Sequence, residues 1–291
     1  MDITSKHNLP YDQAGIERHI EKALRVSYPA FSRFRRVFQA LDWIFQTTLI
    51  DADKIPNRPC LFIGNHSLFA LDGMILGPKL YMEHGRFLRA MGDKFLWNRF
   101  SEDFLLGQGA VIGDPTVCSA LMENGSDILV FPGGAHEATK TAAQKYTLQW
   151  KQRYGFVKLA AKHGYTIVPT ALVGPDEFYG HLLEGEDLPN TPIGRLMTQM
   201  GLLNQDTRTD MLPPVPSGAL GSWLPKPQHC YIKFGDAIDL SNLKDQKLSP
   251  QKMRATRSKV AHSIETMIGE LLVLREQNRS GDALWRRLLR I

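Results

Sequence analysis

A histidine at position 66 follows the short apolar run Cys60 to Ile63 and the turn residues Gly64 and Asn65. The run reads as a buried strand, and Gly-Asn ends it. The imidazole therefore stands where a strand runs out, a common place for reactive side chains in α/β proteins. There it could take a proton from a hydroxyl near neutral pH, given a carboxylate to orient it. Asp72 is the nearest acid downstream. Six positions along a straight helix amount to about 600°, which puts the two side chains on different faces. They meet only if the chain turns between them. Otherwise His66 is a strand-end histidine satisfied by backbone, Asp72 is a helix cap, and Asp93, after a later strand, is the reserve partner.

A second constellation follows the clearest strand in the chain, Asp127 to Phe131. It reads Pro132-Gly133-Gly134-Ala135-His136-Glu137. On its own the double glycine is a tight strand-to-helix turn, a place where backbone can approach a ligand closely.

The elements that must hold these residues alternate between strand and helix. Helical spacing is expected from about Tyr11 to Val26 and again from Phe31 to Phe45, where Phe34, Val37, Phe38, Leu41 and Phe45 recur among Arg33, Arg35 and Arg36. That second stripe suits core packing, an interfacial helix with aromatics at the acyl boundary, or one face for each. Further strands are expected at Arg86 to Met91, Ala110 to Ile112, Thr166 to Gly174 and Cys230 to Phe234, with helices at about 72–83, 116–124 and 150–163. A long amphipathic helix follows Ser249-Pro250, and the tail Leu284 to Arg290 is basic and aromatic. Strands alternating with helices imply an α/β fold, a single domain with a mainly parallel central sheet flanked by helices. The division expected is an N-terminal amphipathic helical region (1–50), an α/β domain (51–240) and a C-terminal helical region (241–291). Within the α/β domain, 180–229 is rich in proline and glycine yet apolar. It reads as a surface insertion or as a lid over an acyl chain.

Bulk properties narrow the function. The chain has 291 residues, 43% apolar and 22% charged, with net charge +5. Its mean hydropathy is −0.24. The mild positive charge fits an anionic ligand or membrane surface, and neither the lysine/arginine density nor the aromatic-basic motifs of nucleic-acid modules are present. Cys60, Cys118 and Cys230 are scattered and odd in number, so no metal spacing or disulfide framework is expected, and a reducing, cytoplasmic setting fits. Met1 to His7 has no apolar signal-peptide core, and no run of about 18 apolar residues occurs.

With both constellations in view, the sequence resembles the glycerolipid acyltransferase superfamily. Four blocks match in order: Asn65-His66 with Asp72, then Gly109-Ala110-Val111-Ile112, then Phe131-Pro132-Gly133-Gly134-Ala135-His136-Glu137, then Ile167-Val168-Pro169-Thr170 with Gly174. Residues 58–180 carry the likeness well and the C-terminal third weakly. Members that take phosphorylated acceptors usually have one residue fewer between the histidine and the aspartate, a Phe-Pro-Glu-Gly-Thr-Arg third block, and a phosphate-holding arginine in the second block. Here Ile112 is followed by Gly113-Asp114, and an aspartate would repel a phosphate. The wider spacing and the Pro-Gly-Gly-x-x-Glu turn look like the branch of diacylglycerol acyltransferases and plant phytyl ester synthases.

The resemblance implies a glycerol-3-phosphate acyltransferase-like fold and a peripheral-membrane O-acyltransferase on the cytoplasmic face of a membrane. The donor would be an acyl thioester, acyl-CoA or acyl carrier protein, with no bound cofactor or metal. The acceptor would be the hydroxyl of a neutral or weakly polar lipid. His66 would be the general base and Asp72 its orienting acid. Gly133 and Gly134 would supply oxyanion donors, and His136 and Glu137 would contact substrate. No Gly-x-Ser-x-Gly elbow is present, which favours direct transfer over a covalent intermediate. The alternatives are a lysophosphatidate acyltransferase, a lipid-binding protein that has lost turnover, and an esterase or thioesterase.

Overall fold

The computed structural model describes residues 11–200 and 212–290, apart from 245 and 247. The N-terminal segment Met1 to His7 and residues 201–211 of the proline-rich insertion lie outside the described residues.

The chain opens with α1 (Gln13–Arg25), a 3-10 turn and α2 (Arg35–Phe45), then enters a short strand β1 (Thr48–Ile50). There follow β2 (Cys60–Gly64), α3 (Leu71–His84), β3 (Leu88–Gly92), α4 (Glu102–Gly107), β4 (Ala110–Ile112), α5 (Pro115–Glu123), β5 (Asp127–Val130), α6 (Gly134–Ala138), α7 (Gly155–His163) and β6 (Thr166–Val173). The insertion contributes β7 (Gly180–Leu183), α8 (Pro192–Gln199) and β8 (Val215–Ser217). The chain then runs through β9 (Tyr231–Phe234), β10 (Ile238–Asp239), α9 (Pro250–Asn278) and α10 (Leu284–Leu289).

Local chemistry accounts for most boundaries. Asp114 accepts from Thr116 N at 2.8 Å and Pro115 occupies the first turn of α5, a standard N-terminal arrangement. Ser249 and Pro250 start α9 in the same way. Gly164, at φ +65°, ends α7 in the left-handed conformation that glycine accepts without a Cβ penalty.

The strands form one sheet in the order β1-β9-β6-β2-β5-β3-β4, with β10 beside β6. From β6 to β4 every neighbour is parallel, but β9 pairs antiparallel with β6 and β1 runs parallel to β9. The expected parallel core is thus extended on one side into a mixed sheet. β1 was not anticipated: it places the end of the supposedly helical 1–50 region in the sheet. β7 and β8 pair antiparallel as a separate two-stranded ribbon, so the described part of the insertion has structure of its own.

Alternation along the strands splits the core. Leu61 and Ile63 pack with residues of α5, α7 and α9, among them Leu121, Val157 and Ile264. Phe62, Leu129 and Val168 face the other way, against Leu76 and Leu80 of α3. β6 is buried along all eight residues, as a central strand covered on both faces must be. The functional consequence lies at the edge where β2, β5 and β6 end. The chain leaves these strands at Asn65, Phe131 and Gly174, three of the places singled out in the sequence.

Candidate active site

The turn that the His66–Asp72 pair requires exists. Between them Phe69 and Ala70 both adopt left-handed backbone, at φ 60° and 56°. Non-glycine residues pay of order 1 kcal/mol each for this conformation. The break brings Asp72, on the first turn of α3, back under the end of β2. Its Oδ2 accepts from His66 Nδ1 at 2.8 Å and from Ser67 N, and its Oδ1 accepts from Gly73 N at 2.6 Å. Asp72 is buried, 1% exposed, while the His66 side chain keeps 12% of its surface. Donation from Nδ1 fixes the tautomer, so the lone pair of the neutral ring lies on Nε2. Burial alone would lower the His66 pKa, but contact with the Asp72 carboxylate outweighs it, and the net effect is a rise above the ordinary value.

The ring plane is fixed as well. Phe131 stacks on His66 with centroids 4.3 Å apart and planes 8° from parallel. The Phe131 ring has room because Gly64 and Gly73 lie against it; a Cβ on Gly64 would stand 3.0 Å from its edge. Asn65 holds the strand end. Its amide accepts from Leu172 N at 2.8 Å and donates to Leu172 O at 2.9 Å, joining β2 to β6 where the ladder stops.

Glu137, on α6, is fully buried. Its Oε1 accepts from His66 N at 3.1 Å, and its Oε2 has no hydrogen-bond partner among the described residues. Desolvation pushes its pKa up to about 7, against the smaller opposing pull of Lys140. Its position explains Gly133: a Cβ there would lie 1.9 Å from Glu137 Oε2. Gly134 has φ +54°, and Arg153 Nη1 binds the Pro132 and Gly133 carbonyls at 3.0 and 2.8 Å, clamping the turn. Gly134 N–H donates to Phe131 O at 3.0 Å and closes the turn. His136 is half-buried on α6 beside Glu137. Asp93, the reserve acid, caps the turn at residues 94–96 instead.

Sequence reasoning missed the buried pair Lys140 and Asp176. Lys140 Nζ lies 2.8 Å from Asp176 Oδ2 and donates to His66 O at 2.8 Å. Asp176 also accepts from Tyr146 N at 2.7 Å. The pair fastens the loops after β5 and β6 to the histidine's own backbone. The available signal was a lysine three residues after Glu137 and an aspartate two after Gly174. Among the described residues, no group of three or more histidine, cysteine or acidic side chains is placed to hold a metal ion.

A histidine backed by a buried aspartate and stacked beside a double-glycine turn, at the end of parallel strands, defines an α/β protein equipped for proton abstraction from a hydroxyl. Comparison with known proteins shows what the chain is similar to. The profile of the diacylglycerol acyltransferase family matches residues 63–201. Phytyl ester synthase 1, chloroplastic, of Arabidopsis thaliana is 28% identical over 240 residues, covering 77% of this chain and 34% of that protein. Phytyl ester synthase 2 of the same plant is 25% identical over 251 residues, covering 80% and 35%. Diacylglycerol O-acyltransferase 2 of Mus musculus is 31% identical over 99 residues, 33% of this chain and 26% of that one. The chain is similar over these stretches to the diacylglycerol acyltransferases and the phytyl ester synthases. It spans about a third of the length of the phytyl ester synthases it matches. Among solved structures, the 1-acyl-sn-glycerophosphate (LPA) acyltransferase of Thermotoga maritima aligns over 88% of this chain and 87% of that one, with 13% identity and a TM-score of 0.47.

Proposed function

We propose that the protein is an O-acyltransferase that moves a fatty acyl group from a thioester to the hydroxyl of a neutral or weakly polar lipid. The observation that carries this reading is the His66 Nδ1–Asp72 Oδ2 contact of 2.8 Å, with the ring held flat against Phe131 beside the glycine turn. In the reaction, Nε2 takes the hydroxyl proton while the alkoxide oxygen attacks the thioester carbonyl. Asp72 steadies the imidazolium that forms. Collapse of the tetrahedral intermediate breaks the C–S bond, and the imidazolium returns the proton to the departing thiolate. Products are an ester and a free thiol, with no covalent enzyme intermediate.

Gly133 N–H, for which no acceptor occurs among the described residues, is the backbone donor assigned to the developing oxyanion. Glu137 holds the His66 backbone in register, and His136 borders the substrate. The Asp114 carboxylate, at the start of α5 where phosphate-using relatives are expected to keep an arginine, supports an uncharged acceptor. The donor is acyl-CoA or acyl carrier protein, and the setting is the cytoplasmic face of a membrane. None of the described helices is long and apolar enough to cross a bilayer.

The test is a matrix of acyl-CoA donors against diacylglycerol, monoacylglycerol, long-chain alcohol and lysophosphatidate acceptors, with His66→Ala as the blank. Transfer to a neutral acceptor, lost in His66→Ala with an unchanged circular dichroism spectrum, is expected. Equal turnover by His66→Ala would reject the base assignment.

A further inference from the structure

The large apolar side chains left in solvent are distributed unevenly about the sheet. Because β1 and β9 run antiparallel to β6, the chain entering β1 and β9 lies at the same sheet edge as the chain leaving β2, β3, β5 and β6. That edge carries His66. Segments attached to it expose Trp43 at the end of α2, Phe69 after β2, Phe95 and Phe100 after β3, and Trp223 before β9. The opposite edge is formed by 51–59, 84–87, 107–109, 124–126, 163–165 and the described residues of 240–249. None of these segments carries an exposed large apolar side chain among the described residues.

Two features at the His66 edge are built to keep apolar groups in water. The first is the loop 218–224. Gly218 N donates to Ser222 O at 2.7 Å and Ala219 N to Leu224 O at 2.7 Å, so the loop spends its polar backbone on itself. The closure is so tight that a Cβ on Gly218 would stand 1.9 Å from Leu224 O. Leu220 sits in left-handed backbone at φ 53°, a strained conformation for a leucine. The knot leaves Leu220, Trp223 and Leu224 70–75% exposed, and nothing in the loop itself repays that arrangement.

The second feature is α10. Trp285 stacks on Trp43 with centroids 5.3 Å apart. Arg286, 1% exposed, donates to Trp43 O at 2.8 Å and to Pro227 O at 3.1 Å. The clamp ties α10 to α2 and to the root of the 218–224 loop, and leaves Leu284 and Leu288 at 75% and 60% exposure. Arg287 on α10, next to Leu288, and Arg35 and Arg36 at the start of α2 are exposed. Tyr179 completes the connection to the site, donating to Trp223 O at 3.0 Å while packing edge-on against Phe69.

We propose that this edge of the sheet docks on an anionic lipid bilayer through the 218–224 loop and α10, presenting His66 to the membrane surface. The proposal rests on the reading of the acceptor as a lipid and says where that lipid comes from. A bilayer fits the surface better than a protein groove for two reasons. The apolar side chains stand on separate protrusions, and exposed arginines lie on the same helices, Arg287 between Leu284 and Leu288 on α10 and Arg35 and Arg36 on α2, the pattern that buries apolar groups at the acyl boundary while cations meet headgroups.

The experiment is flotation of the full chain with phosphatidylcholine vesicles, with and without phosphatidylserine, and with no acyl donor or acceptor added. Wild type floats, more strongly with phosphatidylserine. Leu284→Ser/Leu288→Ser and Leu220→Ser/Leu224→Ser each lower the partition coefficient about tenfold or more. The α10 variant also keeps wild-type turnover on detergent-dispersed acceptor and loses it on vesicle-embedded acceptor. Flotation of both variants at the wild-type level overturns the proposal. So does a wild-type dimer that Leu284→Ser/Leu288→Ser dissociates with no change in flotation, since a second copy would then be the occupant. Because flotation involves no chemistry, its failure is separate from a failure of the acyl-transfer reading, which the His66→Ala blank decides.

Discussion

Asp72→Asn tests the centre of the mechanism with the smallest change of shape. The carboxylate accepts three N–H groups, from His66 Nδ1, Ser67 and Gly73, at a position 1% exposed. Asparagine offers one oxygen and one amide NH₂. With the oxygen toward His66 and Ser67, the NH₂ meets Gly73 N–H donor to donor, and an unpaired buried donor costs about 1–3 kcal/mol of stability. Turned over, the NH₂ faces His66 Nδ1. The ring must then carry its proton on Nε2, the nitrogen that has to be bare. In either orientation the imidazolium loses a counter-charge in contact. Two unit charges about 4 Å apart at an effective dielectric near 20 attract by about 4 kcal/mol, which corresponds to roughly 10³-fold in rate. A fall in kcat/KM of about 10³-fold is therefore expected, with a lower urea midpoint. The pH profile adds a readout that simple unfolding does not share. His66 must be neutral to act, so activity rises with pH through its pKa. In the wild type Asp72 holds that value above the ordinary one, and the acid limb lies correspondingly high. Without the carboxylate, burial dominates and the limb moves to lower pH. Thiol release from acyl-CoA, followed across pH in mixed micelles, measures both effects. Wild-type kcat/KM in Asp72→Asn, or an acid limb that does not move, would refute the reasoning.

Three further outcomes follow from the same geometry. Glu137 has a folded pKa near 7 against an ordinary 4.5, so between these values the folded state binds more protons and stability falls as pH rises, by about 3 kcal/mol in all; denaturation midpoints of Glu137→Gln at pH 5 and pH 8 should differ less than those of the wild type. Gly133→Ala forces a Cβ against the Glu137 carboxylate and should abolish transfer with severe destabilisation, whereas Gly134→Ala, whose Cβ would meet only the end of Arg153, should cost about 1 kcal/mol for its backbone strain, both read by thermal melts. Lys140→Met strands the Asp176 carboxylate in the interior and should cost about 3–5 kcal/mol, and Lys140→Met/Asp176→Leu should recover much of that loss in urea melts, because the unpaired charge is then gone.

The strands were legible because each is a short apolar run closed by glycine, asparagine or proline chemistry: β2, β5 and β6 lie within a residue or two of where the pattern puts them. β1 was not legible. Its three residues have no periodicity to detect, and what makes them a strand is pairing with β9, far along the chain. The site divides the same way. His66 and Asp72 were nameable from type and spacing, and so was the need for a turn between them. Which residues make the turn was not nameable, because Phe69 and Ala70 have no intrinsic taste for left-handed backbone. They adopt it because Asp72 gains three hydrogen bonds on one side while Leu71 and Ile75 pack against Phe45 and Phe178 on the other.

The same contrast explains why Glu137 was found and Lys140 was not. Glu137 belongs to the continuous stretch that begins at Phe131, and Gly133 advertises it, since a glycine is needed wherever a carboxylate lies 1.9 Å from the missing Cβ. Lys140 acts through Asp176, on a different strand's loop, and through the carbonyl of His66, which any residue would supply. A side chain that works by holding backbone leaves no imprint on the type of residue it holds. The geometry of His66 is thus secured at four points: Asp72 on the ring, Phe131 on its face, Glu137 on its amide and Lys140 on its carbonyl. Among the described residues none is bonded to Nε2, which is the condition a general base has to meet.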